Sequence, residues 1–445
     1  MHDPRGNPVS TTSAGALAAA EQALQRIMTF YGPPLDDLDE AAAHDPGWLL
    51  PPLMKAGFLL SLTEPALVGQ ARALLDAARP LTGHATQRER EHLGALRLLA
   101  QGDWAGACRA WETVLLAHPC DALALQWAHL FDFHRGDLVN LRRRVARVLP
   151  EWDEDDPLYP HVLALHAFGL EENQLYAAAE ETGRRALALD PRAPWAMHAV
   201  AHVMEMQGRH AEGAQWLADC APHWTDGNGF SGHLGWHHAL FALETLDAAT
   251  ALQRFDAYLA ANPEQITLQR LDAASLLWRL HLLDIDTGAR WRALVDGWAL
   301  GPEQAGHSAF NDAHALLALI GVGDLRGAQA WVQQALQRAD ALGASHAATA
   351  HDVGAPLMRG LLAYARGDDG EVVEALYPLR DRLHRIGGSH AQRDLVDQTL
   401  LAAAARGRHG AVGRALLNER RTARAMTPWT EHWARRLATI VSGND

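Results

Sequence analysis

A turn signal that recurs along the chain constrains its fold more than any other feature of the sequence. Glycine followed by a polar residue stands between two Ala- and Leu-rich segments at six places: Gly102-Asp103, Gly136-Asp137, Gly208-Arg209, Gly323-Asp324, Gly367-Asp368 and Gly407-Arg408. Each pair follows one helical pattern and precedes another. The spacing is about 34 residues in the most regular region and about 38 to 44 towards the C-terminus, which indicates a repeated helix-turn-helix unit.

Proline marks the ends of the second helices. His118-Pro119 and Leu189-Asp190-Pro191 close such helices, because proline stops one helix and its restricted neighbour starts the turn to the next. An Ala-Leu-Asp-Pro ending followed by Ala-Pro-Trp-Ala is typical of tetratricopeptide (TPR) repeats. The sequence therefore predicts an all-α fold, with TPR-like helix-turn-helix repeats forming a right-handed superhelix around an internal channel or pocket. We count about ten helix pairs, including weaker ones near 48–80 and 265–300.

Two segments are predicted on this basis. Residues 1–45 form an N-terminal arm that is partly ordered, and residues 46–445 form one continuous TPR-like superhelical domain. Two connections, 219–232 and 343–353, are longer than the tight TPR turn. Long connections inside a regular array are either functional, for example as lids, or tolerated insertions, and both alternatives stay open.

The composition indicates which partners and which cellular compartment to expect. A net charge of −14 argues against nucleic acid, because phosphate binding needs a basic surface. No apolar run approaches the ~18 residues of a membrane-spanning helix, and the first residues lack the layout of a signal peptide. The odd, sparse cysteines Cys108, Cys120 and Cys220 fit a reducing compartment, so we predict a cytoplasmic protein. The oligomeric state stays open.

Polar side chains share one face of a predicted first helix. Trp195, His198, His202 and Glu205 lie at i, i+3, i+7 and i+10, which places them on the same side. The repeat register turns that side towards the concave surface. One unit later, His237 and Glu244 align with His198 and Glu205, and Trp236 stands next to His237.

The C-terminal half continues this pattern. Asn311 and His314 lie one turn apart in a first helix that also contains Phe310 and Asp312, and a later helix places His390, Arg393 and Asp394 on one face. Polar side chains thus come from at least four repeats. A superhelix that curls nearly closed would bring them around one cavity.

Three kinds of chemistry fit these residues. His198 and His202 are spaced to chelate one divalent transition metal, with Glu205 or His237 completing a two-histidine, one-carboxylate set, although the HExxH pattern is absent. A His–Glu pair also suits general acid–base catalysis. In the third alternative no reaction occurs: Arg393 and Asn311 hold a carboxylate, and aromatic side chains supply apolar walls.

Four of these segments also carry a resemblance to a known family. The ranges His198–Gly208, His233–Phe241, Phe310–Leu316 and Gly388–Asp394 are similar to the tetratricopeptide repeat protein 38 family. The resemblance spans most of the chain after about residue 45. It implies an all-helical TPR-like fold over the whole length, and it points to no particular reaction.

Two functional hypotheses follow. In the first, the concave interior binds a small organic molecule and works as an enzyme, with His198, His202, Glu205 and His237 as the acid–base or metal-binding centre; hydrolysis, lyase chemistry and metal-dependent oxidation all fit. The substrate-binding residues would be Trp195, Trp236, Phe310, Asn311, Asp312, His314, His390, Arg393 and Asp394. In the second, the protein is an interaction scaffold that binds a peptide or partner helix in its groove.

Overall fold

The computed structural model describes residues 1–262 and 265–441, with the side chains of residues 344, 345, 440 and 441 outside the description. Over that part of the chain it contains 24 α-helices and no strand, and its β-structure is limited to two isolated bridges, His2 with Pro8 and Tyr31 with Asn228. The predicted all-α class with TPR-like helix-turn-helix pairs is confirmed.

The chain divides into two compact units. The first comprises Met1–Val200 and Pro222–Phe230, and the second comprises Ala201–Ala221 and Ser231–Asp445. The first unit contains α1 (Ala14–Thr29), α2 (Leu35–His44), α3 (Leu50–Ser61), α4 (Pro65–Ala77), α5 (Gln87–Ala100), α6 (Trp104–Ala117), α7 (Ala122–His134), α8 (Leu138–Val148), α9 (Tyr159–Glu171) and α10 (Tyr176–Leu189). The unit boundary falls inside α11 (Pro194–Met206).

The second unit contains the remaining helices. They are α12 (His210–Cys220), α13 (Ser231–Glu244), α14 (Ala248–Tyr258), α15 (Thr267–Leu282), α16 (Arg290–Trp298), α17 (Ala309–Gly321), α18 (Leu325–Leu342), α19 (Ala344–Thr349), α20 (Ala355–Arg366), α21 (Asp369–Leu376), α22 (His390–Arg406), α23 (Gly410–Ala423) and α24 (Pro428–Val441). None of the described helices combines the length and apolarity needed to cross a bilayer.

The predicted turns have a clear backbone cause. Glycines at five of the six sites have left-handed φ angles, a region where a side chain is strained: Gly102 (89°), Gly136 (67°), Gly208 (74°), Gly323 (78°) and Gly367 (77°). At the sixth site Gly407 has φ −84°, and Arg408 takes the left-handed conformation instead, with φ 62°.

The aspartates that follow these glycines begin the next helix. The carboxylate of Asp103 accepts a hydrogen bond from the Gly106 N–H at 2.8 Å, and that of Asp137 accepts one from the Asn140 N–H at 3.1 Å. Such a cap satisfies a backbone donor that has no partner inside the helix. Gly–Asp thus ends one helix and starts another, which is why the repeat is visible in the sequence.

First and second helices of a pair differ in burial. In α13, a first helix, all residues from Leu234 to Glu244 are buried, whereas α8, a second helix, buries only Leu141, Arg144, Val145 and Val148. A helix that is buried all round lies inside the packed layers, and an amphipathic helix covers them. The face of α13 that the sequence turns towards an open concave surface is therefore closed from solvent.

The N-terminal residues contain regular structure. Both α1 and α2 lie within residues 1–45, and the segment before α1 is held by hydrogen bonds inside the first unit. The Asn7 side-chain amide donates to the Cys120 carbonyl at 3.2 Å, and the Ser10 N–H donates to Glu89 at 3.0 Å. The division into an arm over 1–45 and a continuous domain over 46–445 stays a prediction.

The two long connections differ from each other. Within 219–232, a short 3-10 turn spans Ala221–His223 and irregular backbone follows. Within 343–353, Gly343 interrupts the helix with φ 120°, after which α19 and a π-helical turn at Ala350–Gly354 run to α20. The alanine-rich composition of this second connection favours helix, so most of it is not a loop.

Candidate functional site

Three histidines converge in the second unit. His202 lies on the part of α11 that belongs to this unit, and His233 and His237 lie one turn apart on α13. One ring nitrogen of each lies within 4.8 Å of the others. The ring centroids are 4.4 Å apart for His202 and His237 and 4.9 Å apart for His233 and His237. His202 and His237 are fully buried, and His233 keeps a small exposed edge.

Two of the three histidines on α13, His233 and His237, contact a carboxylate through Nδ1. His237 Nδ1 lies 3.0 Å from Glu205 Oε2, and His233 Nδ1 lies 2.8 Å from Asp272 Oδ2 on α15. When the carboxylate is ionised, the Nδ1–H donates to it. The proton on Nδ1 leaves the lone pair on Nε2, so the acid fixes both the tautomer and the orientation of the ring.

Burial dominates the electrostatics of this group. It lowers the pKa of His237 well below its ordinary value, and the neighbouring charges of His202, His233 and Arg279 lower it further. His237 is therefore a neutral imidazole at pH 7. Burial also raises the pKa of Glu205 to about 7, an effect that His202 and Arg424 partly offset.

Trp236 and Arg279 pack beside the histidines. The Trp236 ring is stacked on His233 with a centroid distance of 5.4 Å and an interplanar angle of 16°. The guanidinium carbon of Arg279 lies 5.4 Å from the Trp236 ring centroid. Arg279 donates to the carbonyls of Ser275 at 3.2 Å and Ala391 at 2.7 Å, and burial lowers its pKa. Trp236 is fully buried and packs against the ring of His233, and its role in substrate binding stays a prediction.

A second polar group surrounds Arg424, which follows α23. Arg424 lies 3.8 Å from Glu244 and 3.4 Å from Asp394. Asp394 also pairs with Arg420 and accepts a hydrogen bond from the Gln398 amide at 3.0 Å. The structure thus places the predicted substrate-orienting Asp394 in an ion-pair network with two arginines.

Three other predicted substrate residues meet at a small, largely apolar cleft. Phe310, His314 and Arg393 line it together with leucine, isoleucine and valine side chains. The His314 Nδ1–H donates to the Phe310 carbonyl at 2.8 Å, and burial lowers the pKa of His314 to about 4. Arg393 donates to the Gly388 carbonyl and contacts His390 Nδ1 at 3.3 Å.

Asp312 and Asn311 have local contacts near the start of α17. The Asp312 carboxylate is buried and accepts a hydrogen bond from the Gly306 N–H at 2.9 Å. Burial raises the pKa of Asp312 to about 7, and the Gly306 N–H and Arg338 partly offset this rise. The Asn311 N–H donates to the Ser308 hydroxyl at 3.4 Å.

Two predicted residues lie in the first unit, among aromatic rings. Trp195 is 5.0 Å from Phe168 and 5.1 Å from Phe230 between ring centroids. His198 is 5.2 Å from Trp195, 5.1 Å from Phe168 and 5.0 Å from Phe230. His198 and His202 are one turn apart on α11, yet the boundary between the units separates them. The proposed roles of His198 and Trp195 stay predictions.

Two residues near His202 and His237 were not predicted from the sequence as site residues: His233 and its partner Asp272. His233 stands four residues before His237, which is the same spacing that singled out His198 and His202, so the sequence did contain its signal. Asp272 gave no comparable signal, because it follows His233 by 39 positions and meets it only through the packing of α15 against α13.

No family model matches the chain, but several solved structures are similar to it. The chain is similar to a tetratricopeptide repeat protein from Parabacteroides merdae, at 11% identity and TM-score 0.32, covering 70% of this chain and 98% of that one. It is similar to yeast Tom70 at 12% identity and TM-score 0.36, covering 96% and 87%. The third is the structure of Naa15/Naa10 bound to HypK-THB, at 15% identity and TM-score 0.30, covering 96% and 69%.

Proposed function

We propose that the second unit contains a binding centre for a small molecule, built around His202, His233 and His237. The observation that supports the proposal is the grouping of three imidazoles with two buried carboxylates, in which His202 and His237 are buried and His233 is largely buried. Placing such groups out of water costs several kcal/mol unless they are compensated. The carboxylates contact two of the imidazoles, and the grouping of these metal-binding side chains at one place in the helical core supports a binding centre.

His237 could supply a neutral ring nitrogen as a proton acceptor or a metal ligand. Burial lowers its pKa and keeps the ring neutral, and when Glu205 is ionised it accepts the Nδ1–H, which leaves the lone pair on Nε2. His233 repeats the arrangement with Asp272. The two pairs suit acid–base or metal-assisted chemistry, and hydrolase, lyase and metal-dependent reactions all remain compatible with them.

Mass spectrometry of the molecule that copurifies with the full-length protein tests this proposal. The protein is denatured, and the released small molecules are compared between the wild type and His202→Ala. We expect a species that the wild type releases and the variant lacks. If the wild type releases nothing, and its thermal unfolding responds to no added metal ion or metabolite pool, the proposed binding centre is wrong.

An interaction scaffold is the second candidate. The TPR-like helix pairs favour it, because repeats of this kind commonly bind a peptide or a partner helix. In that case the buried histidines would only stabilise the packing. Fold class alone does not determine function, however, so this candidate depends on an observed partner.

Quantitative composition of the complex that elutes on size exclusion separates the two candidates. A scaffold should retain a protein partner at fixed stoichiometry in the wild type, in His202→Ala and in His237→Ala alike. A small-molecule centre should elute without a stoichiometric protein partner, and both variants should lose the bound small molecule.

A further inference from the structure

Three imidazoles lie close together in the second unit, and carboxylates contact two of them through Nδ1. We propose that His202, His233 and His237 bind a single divalent transition metal ion, with zinc as the favoured ion, and that Glu205 and Asp272 orient the ligands without touching the metal. This inference rests on the proposed function, since it names the ligand of the same buried centre.

The donor set determines the class of ion. Three neutral imidazole nitrogens form a borderline ligand set that suits zinc and its neighbours in the transition series, whereas magnesium and calcium prefer oxygen. Three histidines with a fourth position left for water form one of the known catalytic zinc arrangements. Zinc held in this way generates a hydroxide nucleophile near neutral pH.

The carboxylates occupy the positions expected of outer partners. A metal-binding histidine almost always donates its second ring N–H to a carboxylate, a carbonyl or water. His237 contacts Glu205 and His233 contacts Asp272 in this manner, both through Nδ1. The sequence-based hypothesis makes Glu205 a metal ligand, whereas here its oxygen is engaged with the ring of His237.

The ring geometry allows coordination after small side-chain rotations. In a tetrahedral site with zinc–nitrogen bonds of about 2.0–2.1 Å, the ligand nitrogens lie about 3.3 Å apart. The three ring nitrogens already lie within 4.8 Å of one another. The rings are inclined by 61° for His202 and His237 and by 87° for His233 and His237, so they converge instead of stacking.

The charge balance of the group favours a cation. Both carboxylates, Glu205 and Asp272, are buried and contact histidine. The charges of Arg279 and Arg424 favour ionised Glu205, but the donors of Arg279 are directed to the Ser275 hydroxyl and to the Ser275 and Ala391 carbonyls. A divalent ion between the histidines would place a positive charge one ring away from each acid, which stabilises ionised carboxylates in a dry interior.

The first experiment uses untagged wild-type protein prepared without chelators. Elemental analysis after dialysis against limiting zinc should give about one ion per chain. Zinc X-ray absorption should show imidazole nitrogens at about 2.0–2.1 Å from the metal. A protein that binds no zinc, or a first shell made only of oxygen, would overturn the inference, and neither measurement depends on a variant that folds.

Variants then locate the ion. His233→Ala and His237→Ala should each weaken zinc binding by about 100-fold or more. The matched control is His351→Ala, which removes an exposed histidine that also has an acidic partner, Asp340 at 2.8 Å. Its zinc affinity should equal that of the wild type. Circular dichroism checks folding, and His233→Gln replaces the alanine variant if that variant unfolds. Equal zinc affinity in all of these proteins contradicts the assignment.

The outcomes separate the metal from the wider proposal. If zinc does not bind, but the wild type still releases an organic molecule that His202→Ala lacks, the metal inference fails and the binding centre stands. If zinc binds through imidazole and no organic molecule is found, the metal inference stands. If neither is found, both fail.

Discussion

A buried histidine touches a buried carboxylate in each unit, and the two settings differ in how the negative charge is balanced. In the first unit, Asp121 lies 2.9 Å from His92 Nε2 and 2.6 Å from Arg88 Nε, and it also accepts a hydrogen bond from the Ala124 N–H. In the second unit, Asp272 and Glu205 each contact a histidine, and neither has an arginine at ion-pair distance among the described residues.

The pKa values move in opposite directions in these settings. Burial acts to raise the pKa of Asp121, but Arg88 and His92 outweigh it and hold the pKa well below its usual range. Burial raises the pKa of Glu205 to about 7. A histidine–carboxylate contact is therefore not by itself the mark of a ligand site. The distinguishing features are the grouped imidazoles and the carboxylates that, among the described residues, have no arginine at ion-pair distance.

The largest change in the free energy of unfolding is expected at Asp121, whose negative charge is balanced by Arg88. Asp121→Ala leaves the buried Arg88 without its carboxylate partner, which should lower the free energy of unfolding by about 3–5 kcal/mol. Urea unfolding measures the change. Zinc content per folded chain should stay as in the wild type. A loss of less than about 1 kcal/mol would mean that the two settings are not as different as their geometry indicates.

The carboxylate of Asp312 is buried, and its hydrogen bond comes from the backbone N–H of Gly306, so it provides a further case for the comparison. The pKa of Asp312 is raised to about 7, so the folded state keeps a proton that the unfolded chain loses near pH 3.9. Wild-type stability should therefore fall as the pH rises from about 4 through 7. Asp312→Asn keeps an acceptor for the Gly306 N–H and removes the ionisation. It should be more stable than the wild type at pH 8, by up to about 4 kcal/mol.

Urea unfolding of both proteins at pH 4.5, 6 and 8 tests this expectation. The stabilities should be similar at the lowest pH and diverge as the pH rises. A constant difference across the three pH values would show that Asp312 does not hold a proton in the folded state.

An intermediate effect, on zinc affinity, is expected at Asp272, the carboxylate that contacts the proposed ligand His233. Asp272→Asn removes the charge that orients His233 and keeps a side chain of the same shape. Zinc affinity should fall by about 10- to 100-fold while the imidazole shell in X-ray absorption is retained. Asp256→Asn, which alters an exposed ion pair with Arg290, serves as the matched control and should leave the affinity unchanged. Unchanged affinity in Asp272→Asn would remove the proposed orienting role.

The smallest change in the free energy of unfolding is expected at the exposed ion pair of Arg290 and Asp256. Arg290 and Asp256 are 2.6 Å apart, and more than half of the Asp256 side chain is accessible to solvent. Water and salt screen such pairs, so Asp256→Asn should change the free energy of unfolding by less than about 1 kcal/mol. A loss as large as that of Asp121→Ala would show that burial does not explain the contrast.

Local chemistry made the fold predictable. Gly102 and Gly136 end helices and Asp103 and Asp137 begin the next ones, so each boundary depends on residues a few positions apart. The weaker pairs predicted near 48–80 and 265–300 also correspond to α3 with α4 and α15 with α16. Such signals are present in the sequence because they act over one helical turn.

The candidate site was predictable only in part. Helical periodicity identified His202, Glu205 and His237, because each lies on an inner face of its own helix. It did not identify Asp272, whose partner comes from another helix pair, or the arginine partners of Asp394, which come from α23 and the residues that follow it. Periodicity gives the face of a helix, and tertiary packing decides what that face contacts.

Zinc affinity measured side by side in the wild type, His92→Ala and His237→Ala tests the central claim most directly. Each variant removes one buried histidine that contacts a carboxylate, one in each unit. The account predicts that His92→Ala binds zinc as the wild type does and that His237→Ala binds it about 100-fold more weakly or not at all. Equal affinities in the two folded variants would contradict it.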